Sequence, residues 1–217
     1  MPLQNRVDPW GQFQAVSAHG ALMGNRGILH NEKKEIVSQW EHSRWVTCTL
    51  KFPGVQRILF SPRNYSELFF LDEATAFSAG HRPCAQCRRE KFNEFKSAWL
   101  AANLEFLPKP RPRIEEVDEK IHADRATKSG GKVTYQAPVG SLPDGAIVEV
   151  DRIALLVWRG ALLPWSFDGY GPIKDALPPQ TVVRVLTPAS VVRAFASGFT
   201  PEVHPSANVL GLEKSAT

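Results

Sequence analysis

Two cysteines three positions apart have the clearest potential for chemistry in this chain: Cys84 and Cys87, in the stretch "RPCAQC". A C-x-x-C turn that leads into a helix directs both sulfurs toward one point, and Zn²⁺ accepts such ligands because it requires only a tetrahedral arrangement. Pro83 stiffens the approach, while the positive end of the following helix and the neighbouring arginines favour the thiolate. A thioredoxin-type redox pair and two unrelated buried thiols are the alternatives, and the pattern favours zinc over both.

Such a pair supplies half of a tetrahedral site, so two further ligands are needed. Cys48 is the third and last cysteine of the chain, and it lies in a segment that predicts a β-hairpin. The candidates for the fourth ligand are His30, His42 and His81, in that order of preference. The predicted zinc ligands are therefore His30, Cys48, Cys84 and Cys87.

The stretch "FFLDEATAFSAGHRPCAQC", residues 69–87, resembles the second half of an Ada-type zinc-binding domain, and a looser similarity covers residues 28–90. The resemblance implies that Cys84 and Cys87 are the family's second ligand pair, with His30 and Cys48 in place of the first pair. In Ada repair proteins a zinc-bound cysteine accepts a methyl group from a DNA phosphotriester. Three thiolates and a neutral imidazole leave less negative charge on the site than four thiolates, so a structural zinc is preferred to methyl transfer by Cys48.

The same residues also fit a zinc-dependent deaminase, a class of enzyme that combines an H-x-E motif with a P-C-x-x-C motif. Here His30, Cys84 and Cys87 would hold the metal, and Glu32 of "HNE" would be the general acid/base. Two observations count against this alternative. The gap between the motifs is longer than usual, and the segment before the cysteines predicts an Ala-rich helix where a deaminase has a core strand.

The charge pattern permits a nucleic-acid partner without requiring one. The formal net charge is +4, and "CRREKFNEFK" mixes basic residues with phenylalanines, as DNA- and RNA-binding surfaces do. We predict phosphate contacts for Arg82, Arg88 and Arg89. The alternative is an amphipathic helix with a buried Phe face and a solvated basic face, which would suit an interaction module with no nucleic acid.

Several segments predict the elements that position these residues. Residues 44–52 and 55–60 are expected to form a hairpin around a Pro-Gly turn. Asp72 is expected to cap a helix that Gly80 ends, after a short strand "LFFL". Apolar residues at helical spacing predict the next helix, from Phe92 to Ala102.

The chain is predicted to be an α+β protein with a zinc-binding Ada-like module over residues 1–106. Residues 107–135 form a Pro-rich connector and a short helix, and residues 136–217 form a β-rich domain with a C-terminal helix. This second domain is expected to be a small antiparallel sheet or a partly open barrel. With no long apolar run, no signal sequence and three cysteines, a cytoplasmic location without a membrane partner is expected.

Overall fold

A computed structural model describes residues 1–51, 53–54, 56, 58–127, 129–172 and 177–209 of the chain. The predicted α+β class is confirmed, because these residues form two mostly antiparallel six-stranded sheets and five α-helices. None of the helices in these ranges is both long enough and apolar enough to cross a bilayer.

The first sheet carries the strands that surround the cysteines. Its order is β2-β1-β5-β3-β4-β6. The strands are β1 (Arg6–Val7), β2 (Phe13–Gln14), β3 (Leu22–Asn25), β4 (Val46–Thr49), β5 (Leu68–Phe70) and β6 (Arg82–Pro83). Strand β4 runs parallel to β6, with Thr47 opposite Pro83. This pairing brings Cys48 beside the strand that leads directly into the C-x-x-C turn.

The prediction that residues 44–52 pair with residues 55–60 in a hairpin is wrong, because β4 has other partner strands. Strand β4 pairs with β3 on one side and β6 on the other, and none of the described residues between 53 and 60 is a strand. Phe52, Val55 and Arg57 lie outside the described residues. Strand β3 approaches β4 closely at Gly24, where a side chain would not fit, because a Cβ there would lie 2.5 Å from the carbonyl oxygen of Val46.

The helices are α1 (Glu73–Ser78), α2 (Arg89–Asn103), α3 (Ile114–Arg125), α4 (Ala189–Ala196) and α5 (Ser206–Val209). The predicted cap of α1 is confirmed, because Asp72 Oδ1 accepts the Thr75 backbone N–H at 2.8 Å. Gly80 follows the helix with φ +86°, a conformation that favours glycine. Helix α2 buries Phe95 and Trp99 completely, as the apolar spacing predicts.

The second sheet is open. Its strands are β7 (Tyr135–Pro138), β8 (Ile147–Val150), β9 (Ile153–Trp158), β10 (Ala161–Ser166), β11 (Gly169–Tyr170) and β12 (Val182–Val185). They are all antiparallel, in the order β11-β10-β9-β8-β12-β7. Of the two predicted forms, the described strands match the small antiparallel sheet, since the edges β11 and β7 do not close a barrel.

The apolar cores draw on both halves of the chain. Phe77 and Phe95 pack against Phe199, with ring centroids 5.3 and 5.4 Å away, and Phe195 lies 5.3 Å from Phe77. Helices α2 and α4 face each other across this aromatic cluster. The Pro-rich segment therefore connects elements of a shared core, and the division into modules at residues 106 and 136 stays a prediction.

A buried hydrogen bond joins the second sheet to the cap of α1, and it should make the stability of the fold depend on pH in the alkaline range. The Tyr170 hydroxyl donates to Asp72 Oδ2 at 2.7 Å, and burial, followed by the Asp72 charge, raises the pKa of Tyr170 well above its usual 10. The folded state keeps a proton that the unfolded chain loses above about pH 10, so this part of the stability is present below pH 10 and falls as pH rises. Tyr170→Phe should lower the free energy of unfolding by about 2 kcal/mol at neutral pH. In this variant the free energy of unfolding should also fall less steeply as pH rises into the alkaline range. Urea unfolding across neutral and alkaline pH measures both effects.

Tyr65→Phe is the matched control, because half-buried Tyr65 has no part in this hydrogen bond. An alkaline slope that is the same in Tyr170→Phe and in the wild type would contradict the prediction.

Candidate metal centre

The three cysteines of the chain meet at one point. The Sγ atoms of Cys48, Cys84 and Cys87 all lie within 4.8 Å of one another. Sulfurs bound to one tetrahedral zinc are ~3.8 Å apart, given a Zn–S distance near 2.3 Å. Small side-chain adjustments therefore bring all three sulfurs to bonding distance, and the cluster is able to hold a metal ion.

Backbone hydrogen bonds build this cluster. The Cys84 N–H donates to the Thr47 carbonyl at 2.9 Å, which extends the β4–β6 pairing up to the first cysteine of the turn. The Arg88 N–H then donates to the Cys84 carbonyl at 3.0 Å and closes the turn that precedes α2. Thr47 also accepts a hydrogen bond from Arg88 at its Oγ1, 3.1 Å away. Sequence reasoning missed this positioning role, whose only signal is that Thr47 immediately precedes Cys48.

The cluster stabilises a thiolate at Cys84. A hydrogen bond from Cys48, together with backbone N–H groups of Cys87 and Gln86, lowers the pKa of Cys84 to about 5. The Gln86 nitrogen lies 3.4 Å from the sulfur. The pKa of Cys48 is raised, because its thiol donates to Cys84 and because burial and the neighbouring sulfurs disfavour a second negative charge. A divalent cation would replace the proton that the sulfurs share.

The structure does not bring His30 to the sulfurs. Met23 of β3 lies opposite Cys48, whereas Asn25 lies opposite Val46, so the chain moves away from the cluster as it approaches His30. Its Nδ1 is 2.6 Å from Ser66 Oγ, and its ring stacks on Phe60 at 4.6 Å. These contacts hold the imidazole outside the sulfur cluster.

The other two candidate histidines also lie elsewhere. His81 is buried, accepts a hydrogen bond from Arg26 at 3.4 Å and packs 4.6 Å from Phe70. His42 is half-buried, and its carbonyl accepts the Trp45 indole N–H at 2.7 Å. Within the described ranges, no histidine, aspartate or glutamate joins the cluster as a fourth ligand.

The cluster has one accessible side. Cys87 lines an open cavity of about 490 Å³, whose walls also include Thr49, Gln86, residues 88–91, Glu94 and Glu202. Basic and acidic side chains alternate around this cavity rather than forming a patch of one sign. Water or a small donor molecule can therefore reach Cys87 from solvent.

Two of the three predicted phosphate-binding arginines face inward. Arg82 forms a two-bond ion pair with Asp118, with N···O distances of 2.6 and 2.7 Å. Arg88 lies 2.8 Å from the buried Glu73 carboxylate. Only Arg89 of the three has an exposed side chain. The geometry therefore gives no support to phosphate contacts by Arg82 and Arg88, and Glu32 is exposed beside a histidine that does not join the sulfurs.

Comparison with protein-family models, with curated proteins and with solved structures finds no match to this chain. The Ada-type resemblance therefore stays a prediction that rests on residues 69–87.

Proposed function

We propose that the protein binds one zinc ion through Cys48, Cys84 and Cys87. The observation that carries this proposal is the convergence of all three thiols of the chain from two segments that are far apart in sequence. Thiolates are soft ligands, and a set of sulfur ligands without carboxylates favours zinc over magnesium, calcium or manganese.

The zinc acts first as a structural cross-link in this proposal. It joins the end of β4 to the turn that begins α2, and so fixes the edge of the first sheet against the main helix of the aromatic core. The unfolded chain has no such preformed site, so the free energy of metal binding adds to the stability of the fold.

The fourth zinc ligand is a water molecule or a small exogenous donor in this proposal, rather than His30. The accessible side of the cluster at Cys87 supports this choice, as does the engagement of His30 with Ser66 and Phe60. Zinc sites with three protein ligands keep such an open position. A catalytic use of that position and a nucleic-acid partner stay predictions from the sequence. Of the three arginines predicted to contact phosphate, Arg89 is the one with an exposed side chain.

Cobalt substitution tests this ligand set. Co²⁺ bound by three thiolates gives an intense sulfur-to-metal charge-transfer band and visible bands that report its coordination. We expect both in the wild type, their loss in Cys84→Ser, and no change in His30→Ala or His42→Ala. A small added thiol should shift the visible bands by entering the open position.

Gln86→Ala is the control for a nonspecific loss of the cobalt bands, because it keeps the backbone N–H that donates to the Cys84 sulfur. Visible bands that change in His30→Ala as they do in a cysteine variant would establish a ligand set of three cysteines and one histidine instead. A wild-type spectrum without thiolate charge transfer would contradict the metal site itself.

A further inference from the structure

A second cleft, which shares no residue with the sulfur cluster, is lined by three basic residues. Arg26 follows β3, Arg125 ends α3, and Lys132 lies in the loop after α3. The two arginines are only 2% and 3% exposed. The Lys132 ammonium is also held inside, where it donates to the Ser78 carbonyl at 2.6 Å.

Positive charge in this cleft exceeds negative charge. Asp8 is the acid whose charge acts on both Arg26 and Lys132. Asp118 attracts Arg125, but both of its carboxylate oxygens are already bonded to Arg82. Three basic groups therefore face one carboxylate, so the cleft has an excess of two positive charges when all three are protonated. Buried charge of this kind is costly unless a counter-ion accompanies it.

The pKa values of the three basic groups reflect the same imbalance. Burial, followed by repulsion from Arg26, lowers the pKa of Lys132 to about 7. Burial lowers the pKa of Arg26 to about 9 and that of Arg125 well below its usual value. The adjacent His122 adds no charge at neutral pH, because burial and Arg125 lower its pKa to about 4. Each shift would be reduced by an anion in the cleft.

Two guanidinium nitrogens are buried without a partner in the described part of the chain: Arg26 Nη2 and Arg125 Nε. Other donors of these arginines are already occupied: Arg26 Nε donates to His81 Nε2 at 3.4 Å, Arg26 Nη1 donates to the Gly11 carbonyl at 3.2 Å, and Arg125 Nη2 donates to the Ser43 carbonyl at 2.6 Å. Both guanidinium groups also lie over the ring of Trp45, at 4.1 and 3.7 Å. The indole thus fixes their planes and leaves donors free for a ligand.

We propose that this cleft binds a small tetrahedral dianion, with the chemistry of a phosphate or sulfate group. A dianion balances the two excess positive charges and supplies acceptors for the unpartnered nitrogens. The cleft encloses about 310 Å³ of empty space, part of it at the mouth, and its narrow interior has room for only about one or two water molecules. Trp10, Trp40 and Trp45 form its walls, so a compact oxoanion fits better than a nucleotide with its base and sugar.

Isothermal titration calorimetry of the zinc-loaded protein with inorganic phosphate, and separately with sulfate, tests this proposal at neutral pH and constant ionic strength. We expect one anion per chain. Lys132→Met should weaken binding about tenfold or more, because it removes a charge-assisted hydrogen bond and keeps an unbranched apolar side chain. Gln39→Glu, at an exposed residue of the cleft, should also weaken binding by adding a like charge.

The controls match these changes in charge. Arg111→Gln removes a positive charge and Gln180→Glu adds a carboxylate, each at an exposed position that does not line the cleft. Both should bind the anions as the wild type does. Binding of neither anion by the wild type would overturn the proposal. So would a loss of binding confined to Arg111→Gln, or wild-type affinity in Gln39→Glu, a variant that remains informative even if Lys132→Met does not fold.

Discussion

Replacing Cys84 with serine is expected to abolish zinc binding and to lower the free energy of unfolding by about 4 kcal/mol, at a free zinc concentration about 1,000 times the dissociation constant. The serine hydroxyl stays protonated at neutral pH and cannot replace a thiolate that has a pKa of about 5. The sulfurs of Cys48 and Cys87 remain, but two ligands from separate segments no longer fix the turn. Urea unfolding with zinc and with a chelator measures the effect.

The wild type in chelator should unfold at nearly the same urea concentration as Cys84→Ser, since both lack the metal. Gln86→Ala, in the same turn, should retain the zinc-dependent stability because its side chain is exposed. Equal stability of the wild type with and without zinc would show that the metal is not a structural cross-link.

Asp118→Ala is expected to destabilise the protein by about 3–5 kcal/mol, because it leaves the Arg82 guanidinium buried without its partner. The two side chains are 7% and 1% exposed, so water cannot replace the carboxylate. This pair ties β6 to α3 just before the cysteine turn, which gives Arg82 a structural role. Urea unfolding of the zinc-loaded variant measures the loss.

The double variant Arg82→Met with Asp118→Leu should recover most of that stability, since it removes both buried charges together. Lys109→Met is the control, because it breaks the Lys109–Glu116 pair, in which the lysine side chain is 61% exposed; the expected loss is below about 1 kcal/mol. A loss in Asp118→Ala as small as that in Lys109→Met would contradict the role assigned to the buried pair.

Local chemistry made part of this structure predictable from the sequence. The C-x-x-C spacing restricts where two sulfurs can point, and Cys48 is the only remaining thiol, so the cysteine cluster follows from few alternatives. The cap at Asp72 and the turn at Gly80 are also encoded within a few residues. The short β-type runs of the C-terminal third predicted the second sheet for the same reason.

The remaining features depend on contacts between distant segments. Strand β4 pairs with β3, whose Gly24 lies close to the Val46 carbonyl, and the β-branched and aromatic residues within 44–49 do not identify that partner. Likewise, the pattern around Arg82 cannot reveal that an aspartate on α3 neutralises it. The basic cleft could not be predicted from the sequence, because Arg26 and Lys132 lie more than a hundred positions apart in the chain.

Counting zinc in the purified protein by native mass spectrometry tests the metal centre most directly. We expect one zinc per chain in the wild type and in His30→Ala, and none in Cys48→Ser, Cys84→Ser or Cys87→Ser. Zinc that persists after the loss of Cys48 but not after the loss of His30 would contradict the three-cysteine site, as would a wild-type chain that takes up no zinc when it is supplied.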